Sequence, residues 1–209
     1  MKLQIALDRI DLETAITLAD QVQNHADIIE VGTSLIKEYG FLSVRLVKQA
    51  AASTAILADI KTMDEGEYEF RSIYQSNADL ATVMGAAALS TVAACYRVSE
   101  EKGHTLMIDL LETSEERVKT LTQFKHALFC VHFPKDGGSS DIESRIHDFV
   151  KHHPHIEHVA VAGGVRLEHV PWLRRLGVEV CIVGSEIIES KDPLYMAETF
   201  YHAVHDGNE

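Results

Sequence analysis

The sequence predicts an α/β fold of the (β/α)8 barrel type, with residues 1–209 forming a single domain. Three observations predict it. Eight short apolar runs recur about every 25 residues, the size of one βα unit. The runs are rich in Ile, Val and Leu on both faces, as parallel strands covered by helices require. The segments between them carry helical spacing. An open doubly wound sheet is the rival arrangement, but it usually has fewer strands.

Taken in order, the first run is Leu3–Asp8. Asp11 follows it, placed to cap a helix whose expected buried stripe is Leu12, Ala15, Ile16 and Ala19. The next runs are Asp27–Gly32, Ala55–Lys61, Leu80–Gly85 and Thr105–Leu111. Thr113 and Ser114 are both placed to cap the helix after the fifth run, and Glu115 and Glu116 suit its positive end. Ala127–Phe133, His158–Gly164 and Val178–Gly184 complete the set. Pro193 stands at the first turn of the last helix, where its missing N–H costs nothing. There is no low-complexity stretch or composition break.

Charge narrows the possible partners. Nineteen Lys and Arg against 32 Asp and Glu leave a formal net charge of −13. Such a field repels nucleic acid and anionic lipid, so neither is an expected partner. A small phosphorylated substrate is compatible with it, because backbone N–H groups hold phosphate locally. The three cysteines, Cys95, Cys130 and Cys181, are far apart and form no CxxC pair, which points to a reducing cytoplasm. No run of about 18 apolar residues is present to span a membrane.

In a barrel, catalytic groups project from the C-terminal ends of the strands. Here those ends carry Asp8, Glu30, Asp59 with Lys61, Asp109 and His132, and Asp64 lies just beyond Lys61. Asp59 and Lys61 are two residues apart, which puts them on one face of a strand. A lone Asp at a strand end is usually a turn former or helix cap. Six ionisable groups around one mouth are another matter, because they are costly without mutual pairing or a metal. Glu30 and Asp59 are candidate oxygen ligands for Mg²⁺. Lys61 is a candidate counter-charge to an oxyanion, and His132 the candidate proton carrier. Gly163, Gly164, Gly184 and Ser185, after the last two strands, suit a phosphate. The tract His152-His153-Pro154-His155 with His158 precedes the seventh strand and reads as a solvated loop.

The segment Ala58-Asp59-Ile60-Lys61-Thr62-Met63-Asp64 resembles the Asp-x-Lys-x-x-Asp motif of the orotidine 5′-monophosphate decarboxylase superfamily. Leu3–Asp8, Asp27–Thr33, Ala160–Val165 and Ile182–Gly184 resemble the branch that contains 3-hexulose-6-phosphate synthase and 3-keto-L-gulonate-6-phosphate decarboxylase. The resemblance runs nearly end to end. It implies a homodimer with shared active sites and Mg²⁺ as the cofactor, acting on pentulose and hexulose phosphates through a 1,2-enediolate. It implies metal positions at Glu30 and Asp59, active-site positions at Asp8, Lys61 and His132, and a carboxylate donated to the partner by Asp64. It also implies phosphate contacts at Gly164, Gly184 and Ser185.

Between the two activities, Val83-Met84-Gly85, Ile108-Asp109-Leu110 and Ala162-Gly163-Gly164 resemble the synthase pattern. Lys135 and Ser185 stand where the decarboxylase typically has arginines. The expected activity is therefore condensation of formaldehyde with D-ribulose 5-phosphate. Decarboxylation of 3-keto-L-gulonate 6-phosphate is the alternative, and a non-catalytic sugar-phosphate-binding barrel is the alternative of another class. The loop from Phe133 to Ser139 departs from the branch, with Phe133-Pro134 where a small residue is usual after His132.

Overall fold

The computed structural model describes residues 1–134 and 142–206. Eight parallel strands close in sequence order into a barrel, the last pairing with the first. They are β1 (Lys2–Leu7), β2 (Ile28–Val31), β3 (Ala55–Thr62), β4 (Leu80–Met84), β5 (Thr105–Asp109), β6 (Leu128–His132), β7 (Val159–Ala162) and β8 (Val180–Val183). Each strand falls within an expected apolar run or extends one residue outside it. Asp8 follows β1, whereas Glu30, Asp59, Lys61, Asp109 and His132 lie within their strands, at or near the C-terminal ends.

Helices cover the outside: α1 (Leu12–Val22), α2 (Thr33–Tyr39), α3 (Leu42–Ala50), α4 (Gly66–Tyr74), α5 (Leu89–Lys102), α6 (Glu115–Leu121), α7 (Ile142–His152), α8 (Val170–Arg175), α9 (Ser185–Ile188) and α10 (Pro193–His205). Asp11 caps α1, accepting from the Thr14 N–H at 2.8 Å. Ser114, not Thr113, caps α6 through the Arg117 N–H at 3.2 Å. Pro193 occupies the first turn of α10 behind the cap Asp192.

Two apolar layers hold the fold. Outward side chains of the strands pack under the helices, with Ile5, Leu7, Ile29, Ile56, Phe70 and Phe200 fully buried there. Ile28, Leu57, Leu80, Met107, Leu128 and Ile182 form a separate plug inside the barrel. At about 25 cal/mol per Å² of apolar area, these layers are the main favourable contribution to folding. None of the helices in the described residues is long and apolar enough to cross a membrane.

Two sequence expectations shift. In α1 the buried stripe is Ala15, Leu18, Ala19 and Val22, while Leu12 and Ile16 are half-buried. The face is rotated toward α3 and α10, against which α1 packs. The histidine tract is not wholly solvated. His152 and His155 are exposed, but His153 is buried, its ring 4.9 Å from that of Phe149 and its Nε2 2.8 Å from Glu115 Oε1.

Candidate active site

The strand ends converge on a charged cluster at the C-terminal mouth, and its anchor is Asp109 at the end of β5. Its Oδ2 accepts from Lys61 Nζ at 2.9 Å and from His132 Nδ1 at 2.8 Å. Its Oδ1 accepts from the Leu111 N–H at 2.9 Å. Asp109 is 2 % exposed, so burial alone would raise its carboxyl pKa. The bond from His132 and the charge of Lys61 outweigh that and hold it at about 2. Both of its oxygens accept from protein donors, which makes it the group that positions Lys61 and His132.

Because Asp109 takes the Nδ1 proton, the ring of His132 presents its other nitrogen as the base. That Nε2 has no hydrogen bond to any described residue. The His132 side chain is 24 % exposed at the mouth. Phe133, the unusual next residue, does not crowd it. Phe133 is buried in the outer layer, with the Arg145 guanidinium 4.6 Å from its ring centroid. Lys135 and the rest of the departing loop to Ser139 lie outside the described residues.

Lys61 is built into place by an irregular strand. Ala58 pairs with Ala81 but Thr62 pairs with Val83, so β3 bulges by two residues between them. Lys61 sits in that bulge at φ 48°, the left-handed region that a side chain normally avoids. Its N–H donates to Thr82 Oγ1 at 2.9 Å, and Thr82 in turn donates to Asp59 Oδ1 at 2.8 Å. The expectation that Asp59 and Lys61 share a face holds in contact, although the regular pleat it assumed is absent. Lys61 Nζ lies 2.8 Å from Asp59 Oδ2 and 3.0 Å from Oδ1. Burial disfavours the charged ammonium, but Asp59 and Asp109 overcome this and push its pKa upward. Lys61 is therefore a permanent cation, unsuited to proton transfer near neutral pH.

Glu30, on β2, points into the same interior. Gln4 Nε2 donates to its Oε2 at 2.5 Å. Burial, reinforced by the nearby charge of Asp59, raises the Glu30 carboxyl to about 8. Asp59 is fully engaged, with Thr33 Oγ1 donating to Oδ2 at 2.6 Å in addition to Thr82 and Lys61. Asp8, just past β1, accepts from the Ser34 hydroxyl at 2.5 Å and the Ser34 N–H at 3.0 Å. Gly32 makes this possible, since a Cβ there would stand 2.6 Å from Asp8 Oδ1.

The remaining residues lie farther from this cluster's contacts. Asp64 is exposed and joined to no described residue by a hydrogen bond or ion pair, and the cap position of α4 belongs to Glu65. Gly163 and Gly164 take φ 92° and 76°, and a Cβ at Gly163 would be 2.3 Å from the Phe133 carbonyl. Gly184 and Ser185 open α9 beside them, after β8. Gln4, Thr33, Ser34 and Thr82 were not singled out from sequence. Nothing in their spacing marks them, because their roles depend on which strands lie side by side.

The donor chemistry fits a hard cation. Glu30 and Asp59 offer carboxylate oxygens on adjacent strands; Glu30 Oε1 is bonded to no described residue, whereas Asp59 would exchange one of its donors for a cation. No cluster of three or more His, Cys, Asp or Glu suited to a metal occurs among the described residues. Two carboxylates completed by water or substrate oxygens is the Mg²⁺ style of site. A separate cavity of about 520 Å³ opens at the opposite, N-terminal end. Its charges are already paired, Lys2 with Glu179 and His205 with Asp27, and that end of a barrel serves stability.

Residues 1–200 match the orotidine 5′-phosphate decarboxylase / HUMPS family. The chain belongs to that family. It is 31% identical over 209 residues to the 3-hexulose-6-phosphate synthase of Mycobacterium gastri, covering 98% of this chain and 100% of the other. The solved 3-hexulose-6-phosphate synthase of Salmonella typhimurium superposes with a TM-score of 0.90 at 30% identity, covering 99% of each chain. The 3-keto-L-gulonate-6-phosphate decarboxylase of Vibrio cholerae superposes at 0.85 with 22% identity, over 98% of this chain and 97% of that one. This last likeness is one of fold. With these relatives, the chain is an enzyme of the carbon–carbon lyase class.

The Asp109 anchor carries a pH consequence. An unfolded Asp titrates near about 3.9, and the folded carboxyl is held at about 2. A depressed folded pKa stabilises the protein above the unfolded value, and the gain is lost as pH falls through the folded one. Roughly 2 kcal/mol of stability is therefore expected to disappear between about pH 4 and pH 2. Asp109→Asn should be less stable at pH 7 and should lack that part of the acid slope in denaturant titrations. An unchanged slope in the variant would assign the acid loss to other carboxylates.

Proposed function

We propose that this enzyme joins formaldehyde to D-ribulose 5-phosphate, as a 3-hexulose-6-phosphate synthase does, in a reducing cytoplasm. The observation that carries the reading is the shared anchor. One carboxylate oxygen of Asp109 holds both a free-edged imidazole and a permanent ammonium at one mouth. That pairing suits removal of a proton from a carbon beside a carbonyl, where a base takes the proton and a cation meets the charge left behind.

In this reaction His132 Nε2 takes a proton from C1 of the sugar phosphate. Lys61 Nζ faces the developing negative oxygens and remains charged throughout. Carbon C1 then adds to formaldehyde, and the resulting alkoxide is protonated. Mg²⁺, when bound by Glu30 and Asp59, would act as a Lewis acid toward the sugar oxygens. Asp8 contributes a further acceptor at the rim. Gly163, Gly164, Gly184 and Ser185 let the backbone approach the phosphate. The proposed assembly is a homodimer in which Asp64 of one chain completes the site of the other.

Proton exchange tests the first step without formaldehyde. In D₂O the protein is expected to exchange one C1 proton of ribulose 5-phosphate, as read by NMR. EDTA should abolish the exchange, Mg²⁺ should restore it, and His132→Asn should stop it without preventing sugar-phosphate binding. Undiminished exchange in chelated protein would rule out the cation, and native exchange in His132→Asn would mean that another group is the base.

A further inference from the structure

Gln4 is anomalous where it stands. It is on β1, level with Ile28 and Ile182 on the flanking strands, and is 0 % exposed. The interior around it is the apolar plug of Leu57, Leu80, Met107 and Leu128. Its Nε2 donates to Glu30 Oε2, while its own Oε1 is buried with no hydrogen-bond partner among the described residues. An unsatisfied amide oxygen in an apolar layer weakens a fold, and a methionine of similar length would fill the space without that penalty. The position therefore works against stability, and its one bond is made to Glu30.

We propose that Gln4 is a positioning residue that clamps one oxygen of Glu30 and so presents the other, Oε1, to a divalent cation. The clamp fixes a side chain that otherwise has several rotamers, and preorganised ligands bind a cation with less ordering cost. This inference rests on the reading of Glu30 and Asp59 as a cation site.

The test uses the full chain without substrate. Binding of Mn²⁺, a spectroscopically visible hard cation, is followed by calorimetry and electron paramagnetic resonance, and thermal unfolding is followed in metal-free buffer. Gln4→Met is expected to weaken Mn²⁺ binding about tenfold or more while its metal-free melting temperature is unchanged or higher. Gln4→Leu, which also removes the amide, should behave alike and provides a second chance of a folded variant. A native Mn²⁺ affinity in either folded variant would overturn the positioning role alone. So would an affinity loss that merely tracks a lowered melting temperature, since that is what a structural residue produces. If the native protein binds no Mn²⁺, the cation site itself fails, and the role of Gln4 fails with it.

Discussion

Lys61→Ala is expected to lower kcat/KM by about 10³-fold, the scale on which loss of a preorganised charge-stabilising group acts. Lys61 is the cation between Asp59 and Asp109, within 2.8 and 2.9 Å of their carboxylates. Its side chain is 24 % exposed, so those contacts are only partly screened. Removing it leaves two buried carboxylates facing one another across the mouth. Breaking a buried pair in this way costs about 3 kcal/mol or more. Part of that cost should be recoverable by backbone relief. Lys61 holds φ 48°, and glycine tolerates that region better than alanine by about 1 kcal/mol. Lys61→Gly should thus be as inactive as Lys61→Ala but more stable in thermal melts. Near-native turnover in either variant would remove Lys61 from the chemistry.

The second large effect concerns the proposed dimer. Asp64 is exposed and joined to no described residue by a hydrogen bond or ion pair, and Met63 and Tyr68 beside it are 53 % and 70 % exposed. Large apolar side chains flanking an exposed carboxylate at the rim fit a surface that a second copy covers. Asp64→Ala and His132→Asn are each expected to be inactive alone. Mixed and allowed to exchange, they should regain activity. A heterodimer holds one site with both defects and one with neither, so about a quarter of native activity is expected when half of the dimers are mixed. No recovery despite demonstrated subunit exchange would place both residues in one chain's site.

Much of the barrel could be read before the structure, for a physical reason. Strands buried on both faces, such as Val159–Ala162 and Val180–Val183, must be continuously apolar, and that pattern repeats visibly along the chain. The charged strand ends stood out against it for the same reason. The internal wiring of the site was less accessible. Thr82 in an apolar strand looks like any β-former, and its bridge from the Lys61 N–H to Asp59 exists only because β3 bulges against β4. Asp109 was recognisable as polar at a strand end, yet its service to Lys61 and His132 depends on three strands brought together. Gln4 is a polar residue in an apolar run, and only the closed barrel shows that the layer it enters is apolar. His153 lay in a polar tract whose burial only the packing of α7 near Glu115 could reveal.

The proposed reaction makes a carbon–carbon bond to formaldehyde, and product analysis tests it most directly. Purified protein with Mg²⁺ is supplied with formaldehyde labelled in its carbon and with D-ribulose 5-phosphate, and separately with 3-keto-L-gulonate 6-phosphate. The account predicts that the labelled carbon appears as C1 of a 3-hexulose 6-phosphate, seen by NMR, with His132→Asn giving none. Untouched formaldehyde, together with rapid release of CO₂ from the keto-gulonate, would contradict it and assign the site to decarboxylation.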